Sequence, residues 1–141
     1  MVDTPTSLTV PGTFDHVVHI RRWLEQVLQR WQVAEDIIAD LKLAVSELCT
    51  NIVRHGYAGD HDGDIHVALS RHGGTIQVTI NDTAPAFEPG HAAFPPPESL
   101  TEGGYGLSLV HSLIDDIAYE RRDQGGNHIT LIKNESLSDT A

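Results

Sequence analysis

The sequence predicts a two-layer α/β (α+β) sandwich, in which three helices cover one face of a mixed, mostly antiparallel sheet. Three stretches repeat apolar residues every three or four positions, as amphipathic helices do. Shorter stretches are typical of strands, and the clearest of them alternate apolar and polar residues. Glycine-containing turns join strands in pairs, which favours antiparallel hairpins. The order strand, helix, helix, strand, strand, loop, helix, strand, strand fits helices packed on one sheet.

Length and composition indicate a single domain over 1–141. The chain has 141 residues, 40% of them hydrophobic, which is enough for one core. We expect the core over about 7–133 and a disordered tail over 134–141. No run of eighteen apolar residues is present, and the first ten residues have no apolar signal core, so the cytoplasm is the expected location. The single cysteine, Cys49, is expected to be a small core residue.

The charge balance restricts the classes of partner. Nine Lys and Arg against twenty Asp and Glu give a formal net charge of −11. A surface this acidic repels nucleic acid and anionic membranes, so neither is an expected partner. It is compatible with a basic protein segment as partner, or with solubility alone.

The first half of the chain predicts a strand and two helices. The strand covers 7–10, and Thr13 or Asp15 is a suitable cap for the first helix. The second helix begins near 35 and ends at Gly56. The apolar stripe of the first helix is Phe14, Val17, Val18, Leu24, Val27, Leu28 and Trp31, and that of the second is Leu41, Ala44, Val45, Leu48, Ile52 and Val53.

The second half predicts two hairpins separated by a long loop and a helix. The loop, 83–103, holds five of the seven prolines and little periodicity, which is typical of a functional or mobile segment. The helix opens with GGYGL at 103–107 and is expected to run to 116. The strands of the hairpins are 64–70, 75–81, 117–122 and 127–133.

A polar row on the second helix is the first candidate site. Glu47 and Asn51 are one turn apart, and Arg54 and His55 continue the line beside the apolar stripe. An amide carbonyl together with phosphate oxygens suits Mg²⁺, and a carboxylate one turn away can take the proton of an attacking hydroxyl. Taken alone, the row also fits a polar helix edge that faces water.

Two further stretches can carry ligand chemistry. Asp82 ends a strand, and its carboxylate can accept a hydrogen bond from an exocyclic amine such as that of adenine, although an Asx turn is the alternative. Gly103, Gly104 and Gly106 open a helix. Backbone N–H groups and the positive end of the helix dipole suit a phosphate there, although a flexible loop end is the alternative.

In this order, the three stretches resemble a known family. SELCTNIVRHGY, INDTAPAF and GGYGLSLVHSLIDDIAYER are similar to the N, G1 and G2 boxes of the ATPase superfamily shared by gyrase, histidine kinases and MutL, the GHKL or histidine-kinase-like ATPases. With GGNHITLIK, they look more narrowly like the anti-sigma-factor serine/threonine kinases of the RsbW and SpoIIAB type. The resemblance covers roughly 7–133 and implies a Bergerat-type ATP-binding fold.

The resemblance implies a role for each matched residue. Asn51 would hold Mg²⁺, and Glu47 would be the general base. Asp82 would read the adenine amine with help from Thr130, and 83–103 would be the lid over the phosphates. The other implied cofactor-binding residues are Ala84, Phe87, Gly103, Gly104, Gly106 and Leu107, and Arg54 and His55 are implied contacts to the phosphates or the partner.

Ala84 departs from the family pattern, which usually has glycine at that position. If the position needs a positive φ, alanine costs about 1 kcal/mol, which is roughly a fivefold to tenfold loss in affinity. Two functions therefore stay open. In the first, the protein binds Mg-ATP, phosphorylates an anti-anti-sigma (STAS) partner and binds a sigma factor, in a family that often forms homodimers. In the second, the same fold sequesters a partner with weak or no ATP binding.

Overall fold

The computed structural model describes residues 3–57, 63–84, 105–122 and 125–135. Over these residues the chain forms five strands, three α-helices and one π-helical segment. The elements are β1 (Asp3–Pro11), α1 (Phe14–Arg30), α2 (Glu35–Asn51), the π-helical segment (Ile52–Gly56), β2 (Asp64–His72), β3 (Thr75–Asp82), α3 (Tyr105–Leu113), β4 (Asp116–Arg121) and β5 (Asn127–Asn134).

The strands form one sheet in the order β1-β2-β3-β5-β4. All four pairings in the described part of the chain are antiparallel, so the α+β sandwich is confirmed and the described sheet is antiparallel throughout. Because β5 pairs with β3 in antiparallel orientation, its first residues lie beside the last residues of β3. Asn81 is directly opposite His128. This pairing brings the turn between β4 and β5 to the end of β3.

The helices cover one face of this sheet and enclose the core. Strand residues alternate between buried and more exposed positions along β2, β3 and β5, as expected when one face is covered. Thr13 is the cap of α1, and its hydroxyl accepts a 3.4 Å hydrogen bond from the backbone N–H of His16. Cys49 is fully buried, which confirms its predicted place in the core. The buried residues of α1 are Val17, Ile20, Leu24, Val27 and Leu28.

Two members of the predicted α1 stripe are not in the core. Phe14 is 45% exposed and Val18 is 39% exposed, whereas Ile20 is fully buried. Positions 17, 20, 24 and 27 share one helix face, and Val18 is about 100° away from Val17 around the helix axis. Phe14 lies in the first turn of α1, at the end of the buried stripe.

The helix that carries the polar row changes its geometry before it ends. After α2, the π-helical segment widens the last turn, and the backbone N–H of Tyr57 donates a 3.0 Å hydrogen bond to the carbonyl of Ile52, five residues earlier. The sequence pattern predicted a uniform helix up to Gly56. The extra residue in the turn leaves Tyr57 2% exposed, so its ring joins the core.

Several predicted boundaries shift. β1 begins at Asp3 and includes Pro11, and α3 ends at Leu113, where the carbonyl accepts a 2.6 Å hydrogen bond from Lys133 Nζ. The tail prediction over 134–141 is wrong for its first two residues, because Asn134 belongs to β5 and Glu135 forms an ion pair with Arg71 at 2.8 Å. Residues 136–141 lie outside the described residues, as does 85–103 of the predicted lid. None of the described helices has the length and apolar character needed to cross a membrane.

Candidate functional site

Asp82 lies at the centre of the site, at the end of β3. It follows the buried alternation of β3 and points to the helix-covered side of the sheet, where it is 1% exposed. Its Oδ1 accepts hydrogen bonds from the backbone N–H of Ala84 at 2.9 Å, from the backbone N–H of Asn127 at 3.2 Å and from Asn127 Nδ2 at 3.1 Å. Its Oδ2 has a 3.4 Å contact with Asn127 Nδ2. One carboxylate oxygen is thus saturated, and the other keeps acceptor capacity.

The protonation of Asp82 is set by two opposing effects. Burial raises the pKa of Asp82 above its ordinary value of 3.8, because desolvation disfavours the charged form. The hydrogen bonds from Ala84 and Asn127, and the positive charge of Arg122, lower the pKa and partly offset burial. The site therefore contains a carboxylate that gains stability from any further N–H donor that reaches it.

The turn between β4 and β5 is packed tightly on the end of β3. Gly126 has φ +98°, and a Cβ at this position would collide with the backbone carbonyl of Asp82. Arg122 Nη1 donates a 2.8 Å hydrogen bond to that same carbonyl. The sequence therefore needs glycine here both for the backbone conformation and for the close approach.

Tyr57 joins the end of the π-helical segment to the residue that follows Asp82. Its hydroxyl donates to the carbonyl of Asp64 at 2.8 Å and accepts from the backbone N–H of Thr83 at 2.8 Å. The ring packs against Gly12 and Gly63, where a Cβ on either glycine would collide with it. Burial raises the pKa of Tyr57, so the phenol stays protonated and able to donate.

Asn51 brings a second buried polar group to the same region. It is 2% exposed, and its Nδ2 has no hydrogen-bond partner among the described residues. Burial raises the pKa of Cys49, two residues before it, to about 12, and the negative charge of Asp82 adds to this shift. The end of α2 is therefore electrostatically coupled to Asp82. An unpartnered buried amide costs free energy, and such a group fits a site that a ligand completes.

Asn51 also fits the metal that the sequence implied. The nitrogen and oxygen of an amide have nearly the same shape, so a half turn of the side chain presents the oxygen in place of the unpartnered nitrogen. An amide oxygen is a ligand that Mg²⁺ accepts beside water and phosphate oxygens. The donor set at the end of α2 is thus compatible with a magnesium ion carried by a nucleotide.

Glu47 faces a groove on the outer side of the helix layer. It is half-buried and lines an open groove of ≈ 420 Å³ between α1 and α2. Arg21 and Leu43 line the same groove, and Leu43 is 41% exposed. The polar row thus divides, with Glu47 reachable from outside and Asn51 turned into the core. Arg54 is exposed, and the side chain of His55 is outside the described part of the structure.

The structure does not bring Thr130 to Asp82. On β5, residues 127, 129 and 131 are buried and share the face of Asp82, whereas Thr130 points to the other face. Its hydroxyl lies 3.2 Å from His128 Nε2, on that open face. Asn127 takes the position beside the carboxylate that the sequence interpretation gave to Thr130. The alternation of apolar and polar residues over 127–133 carries this signal, because Ile129 and Leu131 are apolar positions and Thr130 lies between them.

The other predicted cofactor-binding residues are only partly described. Ala84 is 1% exposed, and in the described residues positive φ angles occur at Gln32, Gly73, Gly125 and Gly126. Since Ala84 is not among them, the expected conformational cost of alanine does not arise. Phe87, Gly103 and Gly104 lie outside the described residues, and Gly106 and Leu107 belong to the first turn of α3, where side chains are not described.

Comparison with known proteins agrees with this fold. The sequence profile of the histidine kinase-like ATPase domain family matches residues 10–133. The chain belongs to this family. It is 32% identical over 122 residues to the serine-protein kinase RsbW of Bacillus subtilis (strain 168), covering 78% of this chain and 74% of that protein. It is 34% identical over 119 residues to the serine-protein kinase RsbW of Oceanobacillus iheyensis, covering 78% and 75% of the two chains.

Solved structures give the same assignment of fold. The RsbU and RsbW domains of a Mycobacterium tuberculosis protein superpose with a TM-score of 0.69 at 25% identity, over 94% of this chain and 32% of that longer chain. The catalytic domain of the histidine kinase ThkA superposes with a TM-score of 0.55 at 15% identity, over 92% of this chain and 97% of that chain. The second comparison shows the fold alone.

Proposed function

We propose that the protein is an ATP-dependent serine/threonine protein kinase and anti-sigma factor that phosphorylates an anti-anti-sigma (STAS) partner in the cytoplasm. The observation that carries the proposal is the pair of buried polar groups Asp82 and Asn51, which lie at the end of β3 and at the end of α2. Both keep unused hydrogen-bonding capacity in a chain whose relatives are serine-protein kinases. A homodimer is part of the same proposal, by similarity to the family.

The residues around Asp82 and Asn51 would bind the nucleotide. Asp82 Oδ2 would accept a hydrogen bond from the exocyclic amine of adenine, and Asn51 would supply an oxygen ligand to the magnesium ion. Bound Mg²⁺ supplies neutralisation of the phosphate charge. The N–H groups at the start of α3, including that of Gly106, would donate to phosphate oxygens. Ala84 does not oppose this, because its backbone N–H already donates to Asp82 without a positive φ.

Glu47 would act on a hydroxyl that arrives from a second protein. It would accept the proton of a serine or threonine hydroxyl as that oxygen attacks the γ-phosphorus, and ADP would leave. The groove between α1 and α2 is open, which gives a protein loop access to Glu47. Phosphorylation adds negative charge to the partner, and an acidic kinase of net charge −11 would then release it.

The test is phosphotransfer by a Glu47→Gln variant to a STAS-domain protein. We expect the variant to bind Mg-ATP with unchanged affinity by calorimetry, because the change removes a charge without removing a nucleotide contact. Transfer of ³²P should fall by about 10²-fold or more, the usual contribution of a general base. Glu25→Gln is the matched control, since Glu25 pairs with Lys42 on the same helix layer and should leave transfer unchanged. Transfer by Glu47→Gln at the wild-type rate would refute the assigned role.

A further inference from the structure

Asn127 has a role at the site that goes beyond packing. We propose that Asn127 is a positioning residue that fixes the Asp82 carboxylate and presents its Oδ2 to the exocyclic amine of the nucleotide base. The inference deepens the proposed function and rests on it, because it concerns selection of an amino-substituted base at the same site. Asn127 is 6% exposed and is one of three buried polar residues in the described structure, with Asn51 and Asp82.

The hydrogen bonds of Asn127 determine the orientation of the carboxylate. Its backbone N–H and its Nδ2 both donate to Asp82 Oδ1, at 3.2 and 3.1 Å, and the N–H of Ala84 donates to the same atom at 2.9 Å. Three donors on one oxygen leave that oxygen little capacity for a ligand. The Asn127 Nδ2 contact with Oδ2 is longer, 3.4 Å, so Oδ2 remains the acceptor. The carboxylate therefore offers a single defined oxygen.

Asn127 is itself held in place by the backbone. It begins β5 directly after Gly126, whose close approach to the Asp82 carbonyl fixes the distance between β5 and the end of β3. Arg122 closes the turn from the other side, since its backbone N–H donates to the carbonyl of Gly126 at 3.0 Å and its side chain to the carbonyl of Asp82. Such backing is what makes a positioning residue effective, because its own rotation is restricted.

A fixed Oδ2 discriminates between purine bases. Adenine presents an amine at the position where guanine presents a carbonyl oxygen, and a carboxylate accepts from the first but repels the second. A carboxylate that can rotate or protonate loses part of this discrimination, because a protonated oxygen is a donor. We therefore expect Asn127 to contribute to the preference for adenine over guanine nucleotides as well as to affinity.

Removal of the Asn127 side chain should also change the acid sensitivity of binding. Among the described residues, three other titratable groups interact electrostatically with Asp82. Arg122, in the turn between β4 and β5, carries a positive charge that lowers the pKa of Asp82. Cys49 in α2 and Tyr57 after the π-helical segment are neutral. The Asn127 hydrogen bonds lower the pKa of Asp82 against the effect of burial. Without the side chain, Asp82 would take up a proton at a higher pH, and binding that needs the carboxylate would fail earlier on acidification.

The experiment measures Mg-ADP and Mg-GDP binding by calorimetry between about pH 5.5 and 8.5. This range lies above the ordinary carboxyl pKa, where a carboxyl with a raised pKa takes up its proton. For Asn127→Ala at neutral pH we expect about tenfold weaker ADP binding, the size of one hydrogen bond to a charged group, and a smaller ADP-to-GDP ratio. The loss of nucleotide binding on acidification should begin at a higher pH than in the wild type. Asn134→Ala is the matched control on the same strand, at an exposed residue, and should behave as wild type.

Each result of this experiment either supports or overturns the proposed role of Asn127. Wild-type affinity with a wild-type pH profile in Asn127→Ala would overturn the proposal, and so would a uniform loss of affinity with an unmoved profile. Asn127→Ser, which keeps a hydroxyl donor, covers the case in which the alanine variant does not fold, and should show a smaller shift. If the wild type binds no nucleotide, the proposed function fails. The ¹³C titration of the Asp82 carboxyl in the nucleotide-free proteins then still tests Asn127, since its pKa must rise in Asn127→Ala and not in Asn134→Ala.

Discussion

Asp82 is buried without an ion pair to its carboxylate oxygens in the described structure, and it relies on neutral N–H donors from Ala84 and Asn127. Burial raises its pKa, so the folded protein holds this proton more tightly than the unfolded chain. The stability associated with this group is therefore fully present below the unfolded pKa and is lost as pH rises through the folded value. At neutral pH the carboxylate lowers stability while it supplies the acceptor for a base.

Asp82→Asn should separate these two effects. The amide is nearly the same shape and carries no charge, so we expect a higher midpoint of urea unfolding at neutral pH than in the wild type. The dependence of unfolding free energy on pH, between the ordinary aspartate pKa of 3.8 and neutrality, should be flatter. Mg-ATP binding should weaken by about tenfold or more, because a charged acceptor is lost. Asp116→Asn, at an exposed carboxylate, is the control; a variant that loses stability in parallel with affinity would contradict this account.

The difference between Asn127 and Thr130 shows what residue type alone does not reveal. The family resemblance implied that Thr130 on the last strand assists at the base, but alternation along β5 places it on the open face. Asn127 gave no signal by type, since asparagine after two glycines is typical of a turn. Its role depends on β5 lying next to β3, and strand order is a tertiary feature that residue patterns do not specify.

At the scale of elements, the sequence pattern predicted the three described helices and the two hairpins, and the buried face of the sheet is clearest in β2, β3 and β5. The pattern did not predict the π-helical segment. A π-helical turn holds one more residue than an α-helical turn, but it is built from the same types of residue. The pattern also placed β4 one residue late. β4 is an edge strand with mostly exposed side chains, so burial imposes little pattern on it. The π-helical segment matters most for the site, because Tyr57 follows it.

Tyr57→Phe tests the contribution of that junction. The variant keeps the ring against Gly12 and Gly63 but removes the two 2.8 Å hydrogen bonds of the hydroxyl, with the N–H of Thr83 and with the carbonyl of Asp64. We expect a loss of about 0.5–1.5 kcal/mol in the free energy of unfolding for each of the two hydrogen bonds, the usual net contribution of such a bond. Faster hydrogen exchange should be confined to the end of β3 and the start of β2. Tyr119→Phe, at a residue that is 37% exposed, should cost less; equal losses would mean that the Tyr57 hydroxyl has no special role.

On the scale of the whole molecule, the net charge opposes the proposed ligand. The chain carries a formal charge of −11, and Mg-ATP is itself an anion. Composition predicted this acidity and the exclusion of nucleic acid as partner, but not how an acidic protein would bind a polyphosphate. In the proposed function, binding relies on local groups, the Asp82 acceptor at the base and the N–H groups at the start of α3, while the long-range field repels the ligand.

Local attraction combined with long-range repulsion predicts an unusual salt dependence for nucleotide binding. Long-range repulsion between like charges slows association, and added salt screens it over a Debye length of about 10 Å at 0.1 M ionic strength. We therefore expect the association rate of a fluorescent Mg-ATP analogue, measured by stopped flow, to rise as sodium chloride is increased from about 0.01 M, where the Debye length is about 30 Å. The matching adenosine analogue has no phosphate charge and is the control, so its rate should not change. If the Mg-ATP rate falls with salt instead, the potential at the site is positive despite the net charge, and cationic side chains would have to supply the attraction that we assign to backbone N–H groups.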